Sequence, residues 1–145
     1  MPPLLIHASC VAIGEYGVLL TGESGTGKSD VALRLIDSGA ELVADDQTLL
    51  NVTDGKLTAS APVKLAGMME VRHIGLFRLP YRDSVPVRLY VDLLAETASL
   101  ERLPEPEQII LLDRPVWRLR LPGYAASTPA KIHAALLYEP IAGGI

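Results

Sequence analysis

The sequence predicts an α/β fold in which a mixed β-sheet is flanked by helices. An apolar run at residues 17–21 precedes a glycine-rich loop, an amphipathic pattern at 28–38 and a second apolar run at 41–44. This order is typical of a strand–helix–strand unit with a right-handed crossover. Asp54-Gly55 separates two further strand-like runs and is a strong hairpin signal. A parallel unit combined with antiparallel hairpins gives a mixed sheet.

Length and composition predict one globular domain over residues 1–145. Hydrophobic residues make up 49% of the chain and charged residues 21%, and the single cysteine excludes an intrachain disulfide and a CxxC metal site. A net charge of −4 without a basic block argues against nucleic acid and membrane surfaces as partners. The N-terminal residues lack a signal-peptide pattern, and no apolar run reaches about 18 residues. We therefore expect a cytoplasmic protein.

Periodicity and turn residues predict the elements of the first half. Residues 9–13 and 17–21 are apolar and closely spaced, which predicts two antiparallel strands, the second of them central and buried. Apolar residues of the following helix recur on one face, and Asp30 and Arg34 are spaced for an i, i+4 pair on another. Gly39 is a typical C-terminal stop for that helix.

The second half is predicted to combine strands with irregular segments. Pro104 and Pro106 make residues 100–108 irregular, and a final helix over 129–138 has Thr128 as its N-cap and Pro129 at its first position. The remaining predicted elements are hairpin strands at 48–52 and 56–60, a short helix at 64–69, a loop at 72–75, and strands at 85–94, 109–112 and 117–121.

A phosphate-binding motif, GxxxxGK[ST], is complete at residues 22–29 and lies between a buried strand and an amphipathic helix, as the motif requires. Glycines allow positive φ and bring backbone amides against phosphate oxygens, while the helix N-terminus adds partial positive charge. Lys28 is expected to reach the β and γ phosphates and Ser29 to bind Mg²⁺. The alternative is a plain glycine turn. The predicted phosphate-binding residues are Gly22, Glu23, Ser24, Gly25, Thr26, Gly27, Lys28 and Ser29.

Two carboxylates, Asp45 and Asp46, end the apolar run that follows the helix. Ligands of open α/β sheets bind at the carboxyl ends of strands, so this pair is expected beside the phosphate loop. One carboxylate could hold Mg²⁺ and the other accept a proton from an attacking hydroxyl, because neighbours on a strand point to opposite sides. The alternative is a structural turn or a helix cap.

Four further side chains are weaker candidates. His7 precedes the first predicted strand, Glu70 and Arg72 lie in a loop that could bring an acid and a base to the site, and Arg102 could contact phosphate. The simpler interpretation of each is a structural or solvated side chain. Cys10 is expected to be a small core residue.

Several of these segments together resemble the catalytic domain of the HPr kinase/phosphorylase family. They are His7, the strand at 17–21, the loop at 22–29, the run Leu42-Val43-Ala44-Asp45-Asp46 and Met69-Glu70-Val71-Arg72. The resemblance covers roughly residues 4–76, and Leu100-Glu101-Arg102-Leu103 is similar to the family's Asp-Arg-Leu segment. The family's N-terminal domain has no counterpart here, so a short form is expected, and Pro122-Gly123-Tyr124 replaces a more basic loop.

The resemblance implies a bacterial, cytosolic protein-serine kinase that phosphorylates HPr, the small phosphocarrier of the sugar phosphotransferase system. ATP with Mg²⁺ is the implied phosphate donor and pyrophosphate an alternative one, and many members reverse the reaction by phosphorolysis. The family fold is similar to phosphoenolpyruvate carboxykinase around its P-loop, and members form homohexamers. The implied catalytic residues are Asp45 as the base, His7, Lys28 and Arg102, and the implied metal ligands are Ser29, Asp46 and Glu70.

Two other function classes stay open from the residues alone. A small-molecule P-loop kinase would use the same loop and carboxylates, with an arginine-bearing lid to which Arg78, Arg82 and Arg88 could contribute. A regulatory nucleotide-binding module would lack transfer chemistry, and the intact loop and acidic pair argue against it.

Overall fold

The computed structural model describes residues 1–143, and this part of the chain contains eleven strands, two α-helices and a short 3₁₀ turn at Val63–Leu65. The strands are β1 (Leu4–Ile6), β2 (Ser9–Ile13), β3 (Tyr16–Thr21), β4 (Glu41–Ala44), β5 (Thr48–Thr53), β6 (Lys56–Ser60), β7 (Met68–Val71), β8 (Gly75–Arg78), β9 (Val85–Leu94), β10 (Glu107–Leu111) and β11 (Arg114–Pro122). The helices are α1 (Lys28–Asp37) and α2 (Thr128–Leu137).

Nine of these strands form one mixed sheet. Its order is β1-β5-β6-β9-β3-β2-β4, and β11 pairs with both β9 and β10. β9 is parallel to β3 and to β11, while the other pairs are antiparallel. The predicted mixed sheet is confirmed. β3 and β4 run in the same direction, as predicted, but they are not neighbours because β2 lies between them.

The central strand β3 is buried on both faces. Val18 and Leu20 belong to a core that includes Leu35 of α1 and Ile132 of α2. Leu19 belongs to a second core on the opposite face, together with Leu50 of β5 and Leu57 of β6. Burial on both faces explains why this run shows no polar alternation in the sequence.

Cys10 belongs to the core on the face away from the helices and is fully buried, as expected. Desolvation by burial raises the pKa of its thiol to about 12. The thiol therefore stays protonated at neutral pH, which leaves it unreactive and unsuited to metal binding in the folded protein.

Three short-range predictions from the sequence are confirmed. Asp54 and Gly55, with φ of 52° and 78°, form the turn of the β5–β6 hairpin. Gly39, with φ of 113°, follows the end of α1. Arg34 donates from Nε to the carboxylate of Asp30 at 3.1 Å.

The predicted short helix at 64–69 is wrong. Only a 3₁₀ turn forms, and β7 follows it and pairs with β8 in a separate two-stranded hairpin. Glu70 therefore lies on a strand and not in a loop. Met69 is buried and Glu70 exposed, but this alternation of period two is too short to be distinguished from a helical turn in the sequence.

The final helix is also shifted by one residue from its prediction. α2 begins at Thr128, so Ser127 is at the N-cap and Pro129 follows the first helical position. The Thr128 hydroxyl donates to the carbonyl of Pro122 at 2.5 Å instead of capping the helix. Neither helix of residues 1–143 has the length and apolar character needed to span a membrane.

Candidate active site

The phosphate loop connects the end of β3 to the start of α1. Gly22, Gly25 and Gly27 have φ of 144°, 85° and 97°, a region of backbone conformation that favours glycine. Lys28 is buried, and its Nζ donates to the carbonyls of Gly22 at 2.8 Å and Glu23 at 3.2 Å. The predicted strand–loop–helix arrangement is confirmed, and phosphate binding by this loop stays a prediction.

Asp45 joins three elements at the loop. Its Oδ1 accepts hydrogen bonds from the hydroxyls of Ser29, at 2.9 Å, and Ser9, at 3.0 Å. Its Oδ2 accepts from the backbone N–H of Glu70 at 3.3 Å. The structure therefore confirms that this carboxylate lies at the same sheet edge as the phosphate loop.

Asp46 is directed to other partners. Its Oδ1 lies 2.6 Å from Nε2 of His7, and both side chains are more than half exposed. Asp46 has φ of 68°, and its backbone N–H donates to the hydroxyl of Ser9 at 3.1 Å. This left-handed residue makes a tight turn, and both carboxylates line the cavity at the phosphate loop.

Ser9 is a site residue that sequence reasoning missed. It is fully buried, and its hydroxyl donates to Asp45 and accepts from the backbone of Asp46. The signal that could have identified it is a serine at the start of an otherwise apolar strand, two residues after the predicted site residue His7. Its position at the start of β2, between β3 and β4, lets one hydroxyl orient both aspartates.

A cavity of about 810 Å³ lies over this group of residues. The phosphate loop and the acidic pair form one wall, and the β7–β8 hairpin forms another with Glu70, Arg72 and His73. Tyr124, which sequence reasoning also missed as a site residue, completes the lining. The cavity thus brings together the predicted loop, both aspartates, Glu70 and Arg72.

The oxygen groups that line the cavity at the loop fit a magnesium ion, because hard oxygen donors are what Mg²⁺ prefers. They are the hydroxyl of Ser29 and the carboxylates of Asp46 and Glu70, while Asp45 accepts a hydrogen bond from Ser29. Residues 1–143 contain no cluster of three or more His, Cys, Asp or Glu side chains suited to holding a metal. In proteins, Mg²⁺ is commonly held by one or two carboxylates together with phosphates and water.

Arg102 is not brought to this cavity. It is exposed and lines a second cavity with Arg118, Arg120 and Lys131. Two of these cations are already paired, because Arg118 binds Asp92 and Arg120 binds Glu107. The hydrogen bond from Arg120 also lowers the pKa of the Glu107 carboxyl. The structure therefore gives no support to the predicted contact between Arg102 and the transferred phosphate.

The arginines considered for a lid are also placed elsewhere. Arg82 donates to the carbonyl of Gly14 and to the carboxylate of Glu41, and Arg88 lies over the ring of Tyr16. None of Arg78, Arg82 and Arg88 lines the cavity at the phosphate loop. The described residues thus offer no arginine lid built from these three side chains.

Comparison with known proteins shows what this chain is similar to. Residues 2–125 match the model of the HPr Serine kinase C-terminal domain. The HPr kinase/phosphorylase of Clostridium acetobutylicum is 34% identical over 131 residues, which cover 83% of this chain and 43% of that protein. The protein of the same name from Caldanaerobacter subterraneus is 36% identical over 132 residues, with the same two coverages. The chain thus spans less than half the length of these relatives.

A solved structure shares the fold. The Hpr(Ser) kinase/phosphatase from Coxiella burnetii superposes with a TM-score of 0.80 at 27% sequence identity, over 90% of this chain and 87% of that one. Its match supports the predicted P-loop kinase fold. Together with the family model, which covers most of the sequence, it leads to one conclusion: this chain belongs to the HPr serine kinase C-terminal domain family.

Proposed function

We propose that this chain is an ATP-dependent protein-serine kinase acting on an HPr-like phosphocarrier. The observation that carries the proposal is the 2.9 Å contact between Ser29 and Asp45. It joins the phosphate loop, which would hold the donor, to a carboxylate able to receive the proton of the acceptor hydroxyl. The names of the similar proteins from Clostridium acetobutylicum and Coxiella burnetii supply the acceptor class.

The phosphate loop would bind the triphosphate. Ser24, Gly25 and Gly27 of the loop and Ser29 of α1 line the cavity, and backbone amides of such a loop and of a helix N-terminus bind phosphate oxygens. Lys28 would leave the loop carbonyls to reach the β and γ phosphates. Ser29, Asp46 and Glu70 would hold Mg²⁺, as the family resemblance implies. When bound, the metal neutralises charge on the phosphates.

Asp45 would act as the general base. As the acceptor serine oxygen forms its bond to the γ phosphorus, the bond between that phosphorus and the β–γ bridging oxygen breaks, and ADP leaves. The serine proton passes to the carboxylate of Asp45, which the hydroxyls of Ser9 and Ser29 hold in place. His7 would position Asp46 through their direct contact.

The test is transfer from γ-labelled ATP to an HPr-type carrier, followed by digestion of the product to locate the label. We expect phosphoserine on the carrier in the presence of Mg²⁺ and none without the metal. Adding inorganic phosphate to the phosphorylated carrier should release pyrophosphate if the phosphorolytic reaction is retained. A carrier that stays unlabelled while ATP binds would contradict the proposed acceptor.

We further propose a homo-oligomer, with the hexamer of the family as the expected form. Support comes from exposed apolar side chains on the β7–β8 hairpin, where Ile74 and Leu76 are 74% and 64% exposed, because unpaired apolar surface favours association. Because the proposed reaction consumes ATP, we expect the protein to act in the cytoplasm. Light scattering on the purified protein should give a multiple of the 15.6 kDa chain mass, and a monomer at all concentrations would contradict the proposal.

A further inference from the structure

A short segment after β11, residues 122–124, is fixed against the phosphate loop. In the first of two anchoring hydrogen bonds, the backbone N–H of Gly123 donates over 3.0 Å to the carbonyl of Leu94, the last residue of β9. In the second, the hydroxyl of Thr128 donates to the carbonyl of Pro122. Thr128 is fully buried, so the segment is anchored to the sheet and to the start of α2.

The two backbones touch directly. A Cβ added at Gly123 would lie 1.7 Å from the carbonyl oxygen of Thr26. A Cβ added at Gly27 would lie 2.6 Å from the carbonyl oxygen of Gly123. Because no side chain fits between them, the segment and the phosphate loop pack as one unit.

Tyr124 adds a polar contact to this packing. Its hydroxyl donates to the carbonyl of Gly25. The N–H of the same peptide group, that of Thr26, donates to the carbonyl of Glu23 at 3.1 Å. Both ends of the peptide group between Gly25 and Thr26 are therefore held, one of them from outside the loop.

Fixing this peptide group sets the direction of its neighbours. Within residues 1–143, the amides of Gly25 and Gly27 donate to no backbone carbonyl, and both residues line the cavity. Unpaired amides that converge on a cavity form an anion-binding concavity. The amides of Gly25 and Gly27 are therefore available to a phosphate group, in a loop that the contact from Tyr124 helps to hold in place.

We propose that Tyr124 is a positioning residue that prearranges the phosphate loop through its hydroxyl. The inference rests on the proposed nucleotide binding and adds to it a residue from outside the motif. Because Tyr124 acts through Gly25 and does not contact the nucleoside, it strengthens the binding of any ligand that carries the same chain of phosphates.

The test is Tyr124→Phe, which keeps the ring and removes only the hydroxyl. Dissociation constants would be measured with two probes, MgATP and inorganic tripolyphosphate, which has three phosphates and no nucleoside. Loss of one hydrogen bond predicts that both constants rise about fivefold. We expect kcat at saturating ATP to stay within about twofold and the Tm of the unliganded protein to stay unchanged. The matched control is Tyr138→Phe, at a tyrosine that is 73% exposed near the end of α2 and outside the cavity lining.

Each result of these measurements either supports or overturns the proposed role of Tyr124. Weaker ATP binding with unchanged tripolyphosphate binding would overturn the proposal, since it would place the hydroxyl at the nucleoside. Unchanged binding of both probes, or a lowered Tm with unchanged binding, would also overturn it. Absence of ATP binding by the unsubstituted protein would contradict the proposed function itself, and the variant would not be needed to see it.

Discussion

Replacing Lys28 with alanine is expected to reduce kcat/KM for phosphoryl transfer by about a hundredfold to a thousandfold. The variant would lack the ammonium group that contacts the β and γ phosphates while negative charge shifts between them. Removing one donor of this kind lowers the rate by about this factor. The carbonyls of Gly22 and Glu23 would also lose their common donor. Steady-state kinetics and the dissociation constant of MgATP would measure the loss.

Because Lys28 is buried, the loss must be separated from a packing defect. Lys28→Met keeps most of the unbranched apolar stem and removes the charge, so we expect it to be as inactive as the alanine variant while its Tm stays closer to that of the unsubstituted protein. Lys56→Ala, at an exposed lysine of the β5–β6 hairpin, is the matched control and should retain activity. Activity within about threefold of normal in Lys28→Met would exclude this loop as the donor site.

Substituting Asp45 with asparagine should lower kcat by about a thousandfold and leave MgATP affinity within a few-fold of normal. An amide cannot take the serine proton, and general-base catalysis contributes an effect of this order. The amide oxygen can still accept from the hydroxyls of Ser9 and Ser29, but its NH₂ group would then face the N–H of Glu70. Transfer rates with the carrier and equilibrium ATP binding measure the two quantities separately.

Asp46→Asn provides the comparison within the acidic pair. If Asp46 helps to hold Mg²⁺, this variant should need more Mg²⁺ for half-maximal activity and recover at high concentration, whereas Asp45→Asn should not recover. If Asp45→Asn recovered at high Mg²⁺ and Asp46→Asn did not, Asp45 would be the metal ligand and Asp46 the base. Asp83→Asn, at an exposed loop aspartate, controls for the loss of one negative charge. Full turnover in Asp45→Asn would exclude Asp45 as the general base.

The parts of the fold that the sequence predicts correctly depend on neighbours along the chain. The glycine pattern at 22–27 and the turn at Asp54-Gly55 each require positive φ within a few residues, and the structure has it there. The end of the helix at Gly39 is a signal of the same kind. The two carboxylates could be placed at the loop because strands joined through a helix run parallel, and ligands bind at the carboxyl ends of such strands.

The parts that could not be predicted depend on residues far apart in the chain. Glu70 reaches Asp45 only because the β7–β8 hairpin folds over the cavity, and no local pattern specifies that docking. Tyr124 meets Gly25 from 99 positions away. Arg102 shows the opposite, because its local sequence predicted a phosphate contact but the fold places it at a different cavity.

The pairing of β3 determines how late in synthesis the proposed nucleotide site can be completed. One edge of β3 is formed by β2, its neighbour across a short turn, but the other is formed by β9, with Thr21 opposite Asp92. The segment at 122–124 closes on the phosphate loop from still further along. Contacts between residues so far apart in the chain are slow to form. A chain that emerges from the ribosome therefore contains the complete phosphate-loop motif well before residues 122–124 can close on it. If ATP binds at this loop as proposed, it would stabilise chains whose last strand has docked and so favour the finished fold over its precursors.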